Sequence, residues 1–327
     1  MPFFTLQKWY FDILDGENRY VLFYIARAIL AGRTQAFLNL STARLGDEHS
    51  DSACVFLDSR ETFWGSDAVT MKCGEIRWTP EATTVRFDSR DLIVHLRYSR
   101  PLQDFSEKST LVIPAPFRSR TVWTPEAIRC LVDGEVSVSN RRYAFRKQNG
   151  YIDRLDSNVF PLLSPVRTLL WGRMHSGSMA LTFTVAGGER NTWGKMILHL
   201  GGRTHRFEDP RMEEGLSKNS RPLMPSSSKH EQSWFSLPRP DGYKLSAHDS
   251  EMEIVLSVER LRHAVVSDFV EDQRMANPFL KTVYRSISRN PKGIKFFSKA
   301  SLTVAGRTVR REFKDVLCID EFVRFDP

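Results

Sequence analysis

The chain has 327 residues, 41% of them hydrophobic and 26% charged, with a formal net charge of +8. That length holds two domains of ordinary size, and that apolar fraction excludes wholesale disorder. The basic residues are scattered, with only short pairs at Arg141-Arg142 and Arg310-Arg311 and a loose spread over Arg285, Arg289, Lys292, Lys295 and Lys299. No nucleic-acid motif accompanies them, so nucleic acid is not expected as a partner, whereas weak peripheral contact with a membrane surface is compatible with the charge.

Residues 1–10 lack a charged segment followed by an apolar one, and the longest apolar run, residues 20–30, carries Arg27. Neither a signal peptide nor a membrane-spanning helix is predicted, and a cytoplasmic location is expected. The four cysteines, at 54, 73, 130 and 318, form no C-x-x-C pair. That spacing signals no zinc ribbon or redox motif and suits a reducing compartment.

Along the chain, turn signals recur between apolar and β-branched runs. Asp15-Gly16 separates residues 9–14 from 20–27, and Asp133-Gly134 separates 128–132 from 136–138. Gly187-Gly188 separates 179–185 from 192–200, and Gly201-Gly202 leads into 204–207. Such pairs predict hairpins, because the favoured turns need positive φ. Within 92–98, Leu92, Val94, Leu96 and Tyr98 alternate with Ile93, His95 and Arg97, as in an antiparallel strand with one wet face. Helical periodicity is scarce, with residues 59–65 and 265–275 the best candidates. A tract rich in Ser, Pro, Lys and Arg, residues 208–229, reads as an inter-strand loop or a lid. The fold class predicted is all-β, with two antiparallel barrel or sandwich halves and few short helices. The boundary is expected within 149–166, near Pro161 and Pro165, giving halves at 1–158 and 159–327.

Familiar catalytic patterns are absent. There is no dinucleotide or Walker loop, no H-E-x-x-H and no G-x-S-x-G. Ser226-x-x-Lys229 matches S-x-x-K without its companion motifs and reads as chance. His199 and His205 flank the Gly201-Gly202 turn, but two histidines without a third ligand do not make a zinc site, and no metal is expected. What remains are aromatic-polar clusters. In Trp9-Tyr10-Phe11-Asp12, alternation puts Trp9 and Phe11 on one face and Tyr10 and Asp12 on the other. If the second pair faces inward, Asp12 is a carboxylate in an apolar barrel, with a raised pKa and the capacity to donate a proton. If it faces outward, Asp12 serves the Asp15-Gly16 turn. The second cluster, Gly150-Tyr151-Ile152-Asp153-Arg154-Leu155-Asp156, is followed by Trp171-Gly172-Arg173-Met174-His175. At the junction of two halves, such a patch is where a pocket belongs.

The opening Trp9-Tyr10-Phe11-Asp12, the Val132-Asp133-Gly134 segment, Gly150-Tyr151 with its acidic continuation, and Trp171-Gly172-Arg173 resemble, in order and spacing, the carotenoid 1,2-hydratase and AttH-like superfamily. The match spans roughly the first 180 residues; beyond them the likeness is only in β-rich character. The resemblance implies two packed lipocalin-like halves, a pocket for a polyene or isoprenoid, and chemistry without a redox cofactor, by hydration of an alkene or by cyclisation, including Diels–Alder reactions. The family's usual segment reads Gly-Tyr-His-Asp-His-Asn-Trp-Gly. Here Asp153 matches its Asp, but Ile152, Arg154 and Leu155 replace His, His and Asn. That loss of polar partners turns the expectation from hydratase toward shape-directed cyclisation.

The expected site therefore comprises Asp153, Tyr151 and Arg173 as groups that donate a proton or polarise a carbonyl. Trp9, Tyr10, Asp12, Trp171 and His175 are its substrate-binding residues, and the partner is a small hydrophobic substrate. Three readings follow: a cofactor-independent cyclase or isomerase in natural-product biosynthesis, a hydratase with Asp153 as its acid, and a carrier that leaves its ligand unchanged.

Overall fold

A computed structural model describes residues 4–30, 32–47, 50–99, 109–215, 241–268, 292–306 and 310–325. The first of its two sheets holds β1 (Phe4–Leu14), β2 (Arg19–Leu30), β3 (Arg33–Arg44), β4 (Asp51–Leu57), β5 (Phe63–Trp64), β6 (Ala68–Met71), β7 (Gly74–Trp78), β8 (Ala82–Asp88), β9 (Leu92–Ser99), β10 (Leu111–Pro114), β11 (Arg120–Val138) and β12 (Arg141–Ser157). The second holds β13 (Val166–Ser176), β14 (Met179–Gly188), β15 (Thr192–Leu200), β16 (Arg203–Glu208), β17 (Arg211–Gly215), β18 (Gly242–His248), β19 (Met252–Asp268), β20 (Lys292–Gly306) and β21 (Arg310–Arg324).

Both sheets are antiparallel and curl into half-barrels, as the all-β expectation has it. They repeat one winding. The order β4-β3-β2-β1-β12-β11 in the first is matched by β16-β15-β14-β13-β21-β20 in the second. Each sheet is thus closed by its first strand on its last, β1 on β12 and β13 on β21. The chain passes between sheets after Ser157, through a single 3-10 turn at Pro161–Leu163, where a proline opens the turn without losing a needed donor.

Strand alternation sorts the apolar side chains into three layers. Phe11, Phe23, Val85 and Tyr98 fill the first half. Phe183, Phe207, Leu256 and Leu302 fill the second. Between the sheets lies a third layer, rich in Tyr and Trp, that includes Tyr10, Tyr24, Tyr151, Trp123, Trp171 and Phe297. These rings bury apolar bodies while keeping polar tips that need partners.

Several expectations are corrected. Asp133-Gly134 is not a turn: β11 runs through it, paired with both β9 and β12, with a register shift between Val132 and Gly134. Gly134 has φ +131°, and a Cβ there would sit 2.0 Å from the His95 carbonyl oxygen, so the glycine serves a bulge and a close strand approach. The turn falls at Ser139-Asn140, both at positive φ. In the Gly187-Gly188 hairpin the glycines end β14, and Gly188 N–H closes the turn on the Asn191 carbonyl. Residues 59–65 form no helix, because the Asp58 carboxylate takes the Arg60 N–H and its carbonyl takes the Thr62 hydroxyl, which bends the chain into β5. Residues 265–268 continue β19 rather than begin a helix, and 269–275 lie outside the described residues. So do 216–229 of the expected loop, with Ser226 and Lys229, and Arg285 and Arg289; residues 211–215 of that tract form β17.

Candidate active site

Alternation along β1 splits the opening motif. Trp9 and Phe11 face the core of the first half, where the Trp9 ring lies 4.3 Å from that of Trp78 and the Arg154 guanidinium 5.0 Å from Trp9. Lys8, Tyr10 and Asp12 face the second sheet. The interior that receives Asp12 is therefore the space between the halves, not the inside of a barrel, and Trp9 stands on the other side of the sheet from the rest of the expected site.

Asp12 is 0% and Arg173 1% exposed. Arg173 Nε donates to Asp12 Oδ2 at 2.9 Å, and Nη2 lies 2.5 Å from Oδ1. Burial raises the Asp12 carboxyl from its ordinary value, against the pull of the guanidinium. The Tyr10 and Tyr20 hydroxyls lie 3.3 and 3.5 Å from Oδ2 and hydrogen-bond to each other, so one donates to its neighbour and the other to Oδ2. This pair joins β1 to β13 and so ties one half to the other. One hydrogen bond, Nε–H to Oδ2, and a close ionic contact between Nη2 and Oδ1 hold it, and its isolation from water makes loss of either partner expensive.

Beside it lies a cavity of about 230 Å³. Its walls come from the facing closing strands and their neighbours: Leu6 and Tyr10 of β1, Ile113 and Trp123 of β10 and β11, Leu155 of β12, Leu169 and Trp171 of β13. The charged groups at the wall are Lys8, Asp153 and Glu321. Asp153 stands opposite Tyr10 across the β1–β12 ladder. Its Oδ2 accepts 2.9 Å hydrogen bonds from Trp123 Nε1 and from the Tyr151 hydroxyl. Burial pushes its carboxyl up to about 6, opposed by those two bonds and by Lys8 and Lys295. With Oδ2 twice occupied, Oδ1 is the oxygen placed to carry a proton. Trp171 Nε1 donates to the Tyr151 hydroxyl at 3.3 Å, so Tyr151 holds Asp153 and is itself held.

Two ammonium groups complete the polar set. Lys8, half-buried, lies 4.3 Å over the Tyr24 ring and 5.7 Å over that of Tyr10, and burial lowers its pKa. Lys295 hydrogen-bonds Glu321 and lies 4.8 Å over Tyr10 and 4.9 Å over Trp171. The rings of Tyr10, Tyr151 and Trp171 meet edge to face with centroids 5.2 to 6.1 Å apart.

Among the residues expected at the site, Asp153, Tyr10 and Trp171 line the cavity, with Tyr151 directly behind Asp153. Asp12 and Arg173 are engaged with each other and do not line it. His175 does not line it either: its Nε2–H donates to the Ile128 carbonyl at 2.8 Å, and burial pushes its pKa down to about 3, so the ring is neutral. His199 does not face His205, because Thr204 stands opposite it and bonds its Nδ1 at 3.2 Å. Among the described residues no group of three or more His, Cys, Asp or Glu is placed to hold a metal ion, and no helix is long and apolar enough to cross a membrane. Lys8, Trp123, Lys295 and Glu321 were not anticipated. Lys8 had a signal, since it shares the period-two face of Tyr10 and Asp12. Lys295 and Glu321 had none, because only the β20–β21 register sets them opposite each other.

No protein-family model and no curated protein matches the sequence. Solved structures do match. CghA with Sch210972 has a TM-score of 0.65 at 11% identity, over 98% of this chain and 89% of that one. The AttH protein NE1406 from Nitrosomonas europaea has a TM-score of 0.60 at 11% identity, over 99% and 93%. Kievitone hydratase from Nectria haematococca has a TM-score of 0.57 at 10% identity, over 98% and 89%. The likeness to these structures covers nearly the whole chain and is a likeness of fold, two half-barrels packed face to face.

Proposed function

We propose that the chain is a cofactor-independent cyclase or isomerase acting on an apolar polyene, polyketide or isoprenoid intermediate, bound between the two sheets. The observation that carries this reading is the Asp153 carboxyl, set by Trp123 and Tyr151 in the wall of a mostly apolar cavity whose other carboxyl, Glu321, is engaged by Lys295. The walls hold the flexible substrate near its reactive conformer, and orientation alone can lower a barrier by several kcal/mol, up to about 7–11. Protonated Asp153 donates through Oδ1 to a substrate carbonyl and draws electron density from the reacting π system. The faces of Tyr10 and Trp171 stabilise positive charge that develops along the chain. Bonds are redistributed within one molecule, so atoms balance without a co-reactant.

A second reading, hydratase, is favoured by the same carboxyl, because a pKa near neutrality suits an acid that protonates an alkene. Kievitone hydratase shares the fold, which keeps the reading in view. The experiment compares metabolites of a producing strain with and without the gene. An isomer of the product that accumulates on deletion, of equal mass and fewer rings, supports the cyclase. A precursor lighter by one water, with solvent oxygen entering the product, supports the hydratase. An unchanged profile, with a ligand recovered intact from the protein, replaces both with a carrier.

A further inference from the structure

Two stretches that wall the cavity also present apolar side chains outward. Ile113 and Thr121, on either side of the β10–β11 turn, face the cavity. On the same hairpin Phe117 is 88% and Val112 44% exposed. In the connection between the sheets, Val159, Pro161 and Ser164 face the cavity, while Leu162 and Leu163 are 44% and 40% exposed. The two stretches lie side by side: Arg120 N–H donates to Asn158 Oδ1 at 2.7 Å, and Asn158 N–H to the Arg120 carbonyl at 3.2 Å. The turn itself does not call for an aromatic. Phe117 has φ +60°, a conformation that Gly or Asn adopts at much lower cost. Nor is the charge neutral. Residues 109–124 and 158–167 contain Arg118, Arg120 and Arg167 and no Asp or Glu. Arg167 is paired with Glu189, whereas Arg118 and Arg120 flank the tip on the exposed surface.

We propose that this edge of the cavity docks on an anionic lipid bilayer. Phe117, Leu162 and Leu163 enter the headgroup boundary, and Arg118 and Arg120 meet lipid phosphates. An apolar patch with adjoining basic residues is the chemistry of interfacial attachment, which gains from buried apolar surface and from attraction to anionic lipid. The consequence for substrate rests on the reading proposed above: a membrane-dissolved polyene would reach the cavity from the bilayer without crossing water.

The test is co-sedimentation of the full chain with phosphatidylcholine vesicles, with and without phosphatidylserine. Binding is expected to require phosphatidylserine and to weaken as salt rises. Phe117→Ser with Leu162→Ser and Leu163→Ser should lower it by about tenfold or more, and Arg118→Glu with Arg120→Glu should abolish the preference for phosphatidylserine. No sedimentation, or equal sedimentation of the triple variant, overturns the proposal. So does concentration-dependent dimerisation without vesicles that the triple variant loses, which would assign the face to a second copy. Retinol fluorescence in the wild type and the triple variant separates the two claims. Retained retinol binding with no docking fails the bilayer alone; docking with no retinol binding fails the cavity reading alone.

Discussion

Asp153 opposes folding wherever it is ionised. Its carboxyl titrates at about 6 in the folded chain against 3.8 for the free group, a difference of about 3 kcal/mol. Because the folded value is raised, this stabilisation is fully present below pH 3.8 and is lost as pH rises through 6. Asp153→Asn keeps an acceptor for Trp123 and Tyr151 and has nothing to ionise. Urea unfolding should show the variant gaining on the wild type by up to about 3 kcal/mol between pH 3.5 and 8. His175 works in the opposite sense. Its folded pKa of about 3 lies below the ordinary 6.5, so its contribution is present above 6.5 and is lost as pH falls. His175→Gln should flatten the acid limb of stability by on the order of 3 kcal/mol, allowing for its half-burial. Asp153 was legible because it lies in the acidic, aromatic cluster at 150–156 and matches the Asp of the segment that the chain resembles. Its partner Trp123 was not, since no local pattern ties residue 123 to residue 153. The neutral state of His175 likewise depends on burial in the folded chain, which outweighs the opposing pull of a carbonyl 47 residues away in sequence.

At the scale of the element, Trp171-Gly172-Arg173 shows why a strand carries a motif. Alternation sends Trp171 and Arg173 into the space between the sheets and turns Gly172 toward the core of the second half. A Cβ on Gly172 would stand 2.3 Å from the Phe183 ring, which is fully buried. Gly172→Ala should therefore cost about 1–3 kcal/mol, read as a lower unfolding midpoint, and displace Trp171 from Tyr151. Phe183→Leu in the same chain should recover part of the loss. The hairpins of β1–β2 and β15–β16 were legible from Asp15-Gly16 and Gly201-Gly202, because a two-sided apolar alternation flanks each turn. Asp133-Gly134 misled for a physical reason: a bulge and a turn both need a residue with unusual φ, and only the partner strand distinguishes them. Here that partner is β9, whose His95 carbonyl leaves no room for a side chain.

For the whole molecule, the layer between the sheets is both a structural seam and the place where ligand is expected. The Asp12–Arg173 pair holds that seam with both side chains buried from water. Arg173→Met leaves a buried carboxylate uncompensated and should cost about 3–5 kcal/mol, whereas Arg173→Met with Asp12→Leu should cost much less. Thermal unfolding of the two variants checks this. The two-half architecture was legible from the rhythm of turns and from the family resemblance. That the site lies between the halves was not, because period two gives the faces of a strand without saying which face meets a second sheet. Asp153 carries the proposed chemistry, and the most direct measurement is the pH profile of turnover on the accumulating precursor, for the wild type and Asp153→Asn. In the variant, Trp123 and Tyr151 hold the amide oxygen where Oδ2 was, so the amide NH₂ takes the place of Oδ1 and still donates a hydrogen bond. The cyclase reading predicts that wild-type turnover falls as pH rises through about 6, while the variant keeps a slower, pH-independent rate. A wild-type rate that is flat through pH 6 and matched by the variant would contradict it.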